Sequence, residues 1–167
     1  MIGVITGKVS AVLPQNIDTD IIYPGRYLNI TDREKTAEHL FELAYPEVAA
    51  RIVPGDIIVA GRNFGCGSSR EQAAAAVKFK GVSAVIAESF ARIFFRNAIN
   101  LGLPLVVSPE AAAAAKEGDA LSLDLAAGVI QNMTRNETYK AAPLDPRAIE
   151  LISAGGLVPY LKRKHAA

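Results

Sequence analysis

The sequence predicts an α/β domain with a largely parallel sheet and an antiparallel β portion. Three observations lead there. Residues 56–107 alternate short apolar, β-branched runs with helical patterns, in the order β-loop-α-β-α-β; strands joined through helices lie parallel, with right-handed crossovers. Beyond residue 120 the pattern changes. Leu121-Ser122-Leu123-Asp124-Leu125 alternates with period two, Gly128 marks a turn, and Val129–Met133 returns as the second arm of a hairpin. Of the 167 residues, 50% are hydrophobic and 21% charged, enough to bury a core and too apolar for a disordered chain.

Residues 2–13 mix β-branched residues with Gly and Ser and read as the first strand, which Pro14 ends. Val9, Ala11, Val12 and Leu13 break the alternation, so a bulge or a buried stretch is predicted. Asn16-Ile17-Asp18-Thr19-Asp20 follows. Two aspartates two apart could ligate a cation, but the glycine and glutamate of an EF-hand loop are missing. An Asx-type turn is the plainer reading. Through Thr31 the segment is long and irregular, a kind that is often functional or mobile. A helix is predicted over 33–44, capped by Asp32, with Ala37, Leu40, Phe41, Ala44 and Val48 on one face. His39 lies at the polar edge of that face, where a lone histidine is more often structural or exposed than catalytic. Pro46 should break the helix, and Pro54-Gly55 should turn the chain into a strand at Asp56–Ala60.

The helix after that strand should run from Arg70 to Lys80, stopped by Gly81. Ser83–Ala87 reads as a buried strand. Glu88-Ser89 should start a helix through Leu101, with Phe90, Ile93, Phe94 and Leu101 on one face. Arg92, Arg96 and Asn100 fall on another, solvated or facing a partner. Leu103–Val107 is the next strand. Ser108-Pro109-Glu110 combines a cap, a first-turn proline and an acid near the helix dipole, ahead of a helix over Ala111–Lys116. Asp145-Pro146 opens a last helix that ends at Gly155-Gly156, and Lys162-Arg163-Lys164-His165 reads as a solvated basic tail.

Charge and composition narrow the function classes. The 18 basic and 17 acidic residues nearly cancel, so no overall field favours nucleic acid or membrane. The apolar runs are too short or interrupted to span a bilayer. The first residues lack the basic start of a signal peptide, so a cytoplasmic location is expected. The single cysteine excludes an internal disulfide and cannot by itself build a multi-cysteine metal or iron–sulfur site.

The most informative stretch is Gly61-Arg62-Asn63-Phe64-Gly65-Cys66-Gly67-Ser68-Ser69-Arg70-Glu71-Gln72, between the strand at 56–60 and an alanine-rich helix. Its glycines give the loop backbone freedom. Ser68 with Glu71, or Ser69 with Gln72, has capping-box spacing. A helix N-terminus attracts anions, and Arg70 adds a planar cationic fork suited to a carboxylate or phosphate. The loop lacks the lysine of a phosphate loop, the GxGxxG of a dinucleotide site and the GxSxG of a hydrolase elbow. Two readings remain from the residues: an anion site with hydroxyls beside it, or a glycine-rich turn with a capping serine.

The loop Gly65–Glu71, followed by Glu88-Ser89-Phe90-Ala91-Arg92-Ile93 and Arg96-Asn97-Ala98-Ile99-Asn100, resembles the swivel domain of the aconitase superfamily. Asp18-Thr19-Asp20-Ile21-Ile22-Tyr23-Pro24-Gly25-Arg26-Tyr27-Leu28 fits the same family. The likeness runs from about residue 5 to 160 and is that of the free-standing small subunits of 3-isopropylmalate dehydratases. It implies one aconitase-type swivelling β/β/α domain over 1–167, with a basic tail at 161–167, docked on a separate large subunit. The resemblance places a [4Fe–4S] cluster on that large subunit and no cofactor on this chain, with Cys66 a packing residue. It implies dehydration and rehydration of a small hydroxy-diacid, the cluster's open iron serving as Lewis acid. Ser68 matches the catalytic base, and Ser69 and Arg70 match substrate-binding positions. Tyr27, Leu28, Asn29 and Ile30 match the loop that touches the substrate's variable group. An arginine at the Asn29 position goes with homoaconitase-type enzymes; the uncharged Asn29-Ile30 suits an alkyl substituent.

Overall fold

The computed structural model describes residues 3–166, so the expected strand residue Ile2 and the last residue of the expected tail lie outside the described residues. Among the described residues, seven strands form one sheet in the order β4-β3-β2-β1-β5-β6-β7. They are β1 (Val4–Leu13), β2 (Ile57–Ala60), β3 (Ala84–Ala87), β4 (Leu105–Val107), β5 (Ala120–Asp124), β6 (Val129–Asn132) and β7 (Glu137–Lys140). The helices are α1 (Thr19–Ile22), α2 (Arg33–Glu38), α3 (Pro46–Arg51), α4 (Glu71–Phe79), α5 (Arg92–Asn100), α6 (Pro109–Ala114), α7 (Pro146–Ala154) and α8 (Leu157–Ala166). No helix among the described residues is long and apolar enough to cross a membrane.

The first strand joins the two halves of the sheet. Val4–Lys8 pairs antiparallel with β5, whereas Val9–Leu13 pairs parallel with β2, and the register shifts between Val9 and Ala11. The broken alternation in the sequence marks this irregularity. On its far side, β2, β3 and β4 continue in parallel; on the other, β5, β6 and β7 form an antiparallel meander. The parallel strands are buried on both faces, as such sheets require. Ile58 and Ala60 enter one core cluster with Ala73, Val77 and Phe94, while Ile57 and Val59 enter another with Leu121, Ile149 and Ile152.

Several boundaries differ from the sequence reading, each for a packing reason. The helix expected over 33–44 stops at Glu38. Phe41 takes left-handed backbone (φ 55°), and its N–H donates to the Ile22 carbonyl at 2.9 Å, so that Leu40 and Phe41 drop fully into the core. Ala44 is exposed. Pro46 occupies the first turn of α3, where its missing N–H costs nothing, and so starts a helix instead of breaking one. The helix expected from Glu88 begins at Arg92, and Ile93 is 49% exposed, not packed beside Phe94. Strand β7 is polar except for the buried Tyr139 and escaped the sequence reading. Gly155 caps α7 in the left-handed region as expected, but the chain then turns into α8, whose last turn holds the basic residues assigned to a tail.

The antiparallel half carries a buried polar cluster. Asp119, 2% exposed, accepts hydrogen bonds from the Lys116 N–H (2.9 Å), Asn132 Nδ2 (2.8 Å) and Arg135 Nε (2.9 Å). Burial pushes its carboxyl pKa up, but the Lys116 N–H, the Asn132 amide and Arg135 outweigh that and hold it below its ordinary value. A depressed folded-state pKa gives stability that is full above the unfolded value, about 3.9, and lost as pH falls through the folded one. Arg135→Ala should therefore cost about 1–3 kcal/mol near neutral pH, the penalty of an under-satisfied buried group. The gap to the parent protein should narrow below about pH 4. Denaturant unfolding across a pH series measures both; a gap that widens in acid would contradict the assignment.

Candidate active site

The Gly61–Arg70 loop leaves β2 and stays between the continuations of the strands on either side. On one flank, Gly61 N–H donates to the Leu13 carbonyl (3.1 Å), Asn16 N–H to Arg62 (2.8 Å), Gly65 N–H to Ile17 (2.8 Å) and Thr19 N–H to Cys66 (2.8 Å). On the other, Phe64 N–H donates to Ser89 (3.1 Å) and Ala91 N–H to Phe64 (3.0 Å), while Ser89 Oγ accepts from the Asn63 N–H at 2.8 Å. This explains why residues 88–91 are extended and not helical: they complete the ladder. Phe64 is fully buried, edge-on to Phe90 and Phe94. Gly65 has φ 85°, and a Cβ there would run into the Phe94 ring.

Beyond this anchored stretch the chain surfaces. Ser68 and Ser69 are exposed. The Ser68 carbonyl accepts from Thr19 Oγ1 (2.9 Å) and from the Arg70 N–H (2.8 Å), which fixes the backbone beneath its hydroxyl. The capping boxes read from the sequence do not form: Arg70 is the N-cap of α4 and no side chain caps it. The turn between Ser68 and Arg70 moves the helix start past both serines. The N-terminus of α5, at Ala91, likewise has no side-chain cap. Both helix ends meet one groove of about 260 Å³, whose lining includes Ser68, Ser69, Arg70, Arg92 and Asn97. Two open helix N-termini and two guanidinium groups make this groove electropositive, suited to carboxylates.

The Asp18–Asp20 stretch holds the site in place. Asp18 caps α1, accepting from the Ile21 N–H at 2.7 Å, so the aspartate expected to form an Asx-type turn serves as a helix N-cap, its bond reaching three residues on and not two. Asp20 accepts from Arg70 Nη1 at 2.9 Å and from the Gly25 N–H at 3.1 Å. The Arg70 bond first, and the Gly25 N–H next, lower the Asp20 carboxyl pKa from its ordinary value. The Arg70 head also donates to the Tyr23 carbonyl at 3.4 Å and lies against Gly25, where a Cβ would be 3.1 Å from Nη2. The Asp-Thr-Asp spacing marks the stretch in the sequence, but no local signal points to the Asp20–Arg70 pair or the Thr19 tie, whose partners lie about fifty residues away. Cys66 is half-buried and bridges through its backbone to Asp18. Among the described residues, no group of three or more His, Cys, Asp or Glu could hold a metal ion.

Two of the other predicted site residues lie on the flank of α4. Leu28 and Ile30 line a second groove, about 280 Å³, against Gln72, Ala75 and Phe79. It reaches Glu71, next to Arg70, so the two grooves share the start of α4. Asn29 is exposed. Tyr27 lines neither groove; its ring stacks on His39 at 3.6 Å between centroids.

Gly65→Ala should destabilise the protein by more than the about 1–3 kcal/mol of left-handed strain alone, because the Phe94 clash adds to it. Gly118→Ala is the control: it has φ 90° with nothing within 4 Å of its added Cβ. Chemical denaturation of the two variants should rank Gly65→Ala clearly the less stable.

The aconitase C-terminal domain family model matches residues 17–110, which contain all of this site. The 3-isopropylmalate dehydratase small subunit of Moorella thermoacetica is 59% identical over 89% of this chain and 90% of its own length. The methanogen homoaconitase small subunit of Methanothermobacter thermautotrophicus is 51% identical over 97% of this chain and 94% of its own. A crystal structure of 3-isopropylmalate dehydratase (leuD) from Methanocaldococcus jannaschii superposes with a TM-score of 0.90 at 42% identity, covering 98% of this chain and 96% of that one. The fold, the loop and the extent of the likeness agree: this chain belongs to the aconitase C-terminal domain family, among small subunits of the 3-isopropylmalate dehydratase type.

Proposed function

We propose that this chain is the small subunit of a 3-isopropylmalate dehydratase. It interconverts 2-isopropylmalate and 3-isopropylmalate by dehydration and rehydration in leucine synthesis, in the cytoplasm. It works as a heterodimer or heterotetramer with a large subunit that carries the iron–sulfur cluster. The observation that carries the reading is the groove in which Ser68, Ser69 and Arg70 meet two uncapped helix N-termini. The cluster's Lewis acidity would come from the large subunit.

The chemistry asked of this chain is carboxylate binding and proton transfer. Arg70 and Ser69 hold a substrate carboxylate, with Asp20 keeping the guanidinium oriented. The Ser68 oxygen takes the proton from the carbon next to the departing hydroxyl, then returns a proton when water adds back the other way round. A serine hydroxyl ionises only where N–H dipoles and cations favour the anion. The open ends of α4 and α5, with Arg70 and Arg92, supply that field. In Leu28, Asn29 and Ile30 the selecting loop has no cation, which favours an alkyl substituent over a third carboxylate.

The likeness to a homoaconitase small subunit favours a second reading, a related hydro-lyase acting on another diacid. Citraconate- and 2,3-dimethylmalate-type substrates, whose substituents are also apolar, belong with it. A non-catalytic partner-binding module is the third reading, which retention of Ser68, Ser69 and Arg70 together opposes.

Anaerobic assay of the reconstituted complex on 3-isopropylmalate, homocitrate-type and citraconate-type substrates should give a preference for isopropylmalate, with neither subunit active by itself. Preference for another diacid would discard the substrate, and an intact complex inert to all three would discard the enzyme. Ser68→Ala should lower kcat by about 10²–10⁴-fold, the usual contribution of a positioned base, without weakening assembly. Near-parental turnover would remove Ser68 from that role. Arg70→Lys should raise KM about tenfold, a loss near 1.4 kcal/mol, because an ammonium cannot form the two-pronged carboxylate contact.

A further inference from the structure

We infer that His39 and Glu42 are positioning residues for the substrate-selecting loop. This rests on the proposed role of Leu28–Ile30, and it gives His39 a task other than catalysis. The root of that loop is Tyr27. Its carbonyl accepts from Tyr23 Oη (2.8 Å) and from the Ile30 N–H (3.0 Å), closing the turn that presents Leu28 and Asn29. Its ring lies flat on the His39 imidazole, 3.6 Å between centroids and 10° between planes. His39 Nδ1 is 3.0 Å from Glu42 Oε1. The Glu42 carboxyl is held below its ordinary pKa, by the Tyr27 hydroxyl first and by His39 after it. Arg26 completes the box, 5.2 Å above the Tyr27 ring and 3.9 Å from Glu42 Oε2.

This box joins the loop to a segment rooted in the core. His39 and Glu42 flank Phe41, whose buried ring and left-handed backbone lock the turn to the core through the Ile22 carbonyl. Two segments twelve positions apart are thus clamped by a flat stack and by Glu42, which meets His39 and Arg26, and the clamped residue is the root of the loop. The side chains carried by that loop, Leu28 and Ile30, form one wall of the groove beside Arg70, with α4 as the other. Loosening the clamp leaves the serines, Arg70 and the loop's composition unchanged. It moves only the wall that meets the substrate's variable group. The consequence is a change in which diacid is preferred, carried by KM, with the rate of the bound substrate preserved.

The test uses the reconstituted complex with 2-isopropylmalate and its methyl counterpart citramalate as probes. His39→Ala removes the stack and the Glu42 partner; His39→Phe restores a ring on Tyr27 without Nδ1. Glu42→Gln, at a half-exposed position, keeps the shape and removes the charge. His39→Ala should reduce the isopropyl-to-methyl preference about 3- to 10-fold through KM, the range in which residues outside a site modulate it. His39→Phe should recover most of that loss, and Glu42→Gln should move in the same direction as His39→Ala. Leu28→Ala reports on the loop itself. If it shifts the preference and the His39 and Glu42 variants do not, the positioning role is overturned and the proposed function stands. If none of them shifts it, the selecting role of the loop fails and the positioning role with it. Amide hydrogen exchange of the isolated chain reads the clamp without any turnover. The Ile30 N–H, bonded to Tyr27, should exchange faster in His39→Ala and regain protection in His39→Phe; an unchanged rate overturns the inference even if the complex acts on neither diacid.

Discussion

The site depends on a ladder of backbone hydrogen bonds that does not stop where the strands stop. The Gly65 N–H on the Ile17 carbonyl and the Ala91 N–H on the Phe64 carbonyl extend the β1-β2-β3 order for several residues past the sheet. A glycine-rich loop by itself has no reason to hold one conformation. Here it is the middle of three chains, so each of its neighbours fixes it. Phe64 then anchors it downward among Phe90 and Phe94, and Gly65 is the residue that lets Phe94 come that close. Ser68 emerges at the first point where the ladder has ended and α4 has not begun, with its carbonyl held by Thr19. Ser68 is exposed on a fixed backbone, which the role proposed for it requires.

The second constraint is electrostatic. Two helix N-termini and two arginines around one groove would repel one another without compensation, and Asp20 provides it for Arg70. The Asp20 side chain is 62% exposed, so the pair contributes little to folding, and its effect is geometric. It fixes the direction of the guanidinium, which under the proposed function leaves less ordering for substrate binding to accomplish. Asp20 reaches this position because Asp18 starts α1 and the 3-10 turn at Gly25–Tyr27 brings the Gly25 N–H back to it. The Asp-Thr-Asp stretch thus serves three purposes at once: Asp18 shapes the turn, Thr19 holds Ser68 and Asp20 holds Arg70.

Much of this was legible in the residues, and the failures have a common cause. The parallel order of β2, β3 and β4, the Ser108 cap, the Gly155 stop and the β5–β6 hairpin follow from local signals, and local physics sets them. The groove residues Ser68, Ser69 and Arg70 were found through the glycine loop and the family likeness. What was missed depends on partners distant in sequence. Glu88–Ala91 has good helical composition but is drawn out by Phe64, more than twenty residues earlier. The 33–44 periodicity is real, yet the chain leaves the helix after Glu38, and Phe41 is buried with its N–H on the Ile22 carbonyl. Asp20 and Arg70 lie fifty residues apart, and single-sequence spacing carries no signal across that distance.

The exposure of Ser68 bears on why the proposed chemistry needs a second subunit. A hydroxyl open to water keeps its proton near neutral pH, since water competes for every N–H and screens both arginines. The same dipoles and guanidiniums gain several-fold in effect once the groove is covered and its dielectric falls. This chain supplies the oriented field and the anchored oxygen, while its groove is open along the side where Arg92 and Ile93 stand exposed. Ile93, the one residue of the predicted apolar stripe on α5 that the core rejects, stands at the rim of that opening, and an apolar side chain there is poorly placed in water. A lid that buries Ile93 would, in the same movement, exclude water from Ser68. Under the proposed function, docking and activation of the base are therefore a single event, and a subunit whose separate chain has every residue for proton transfer can still be inactive until the cluster-bearing partner closes over it.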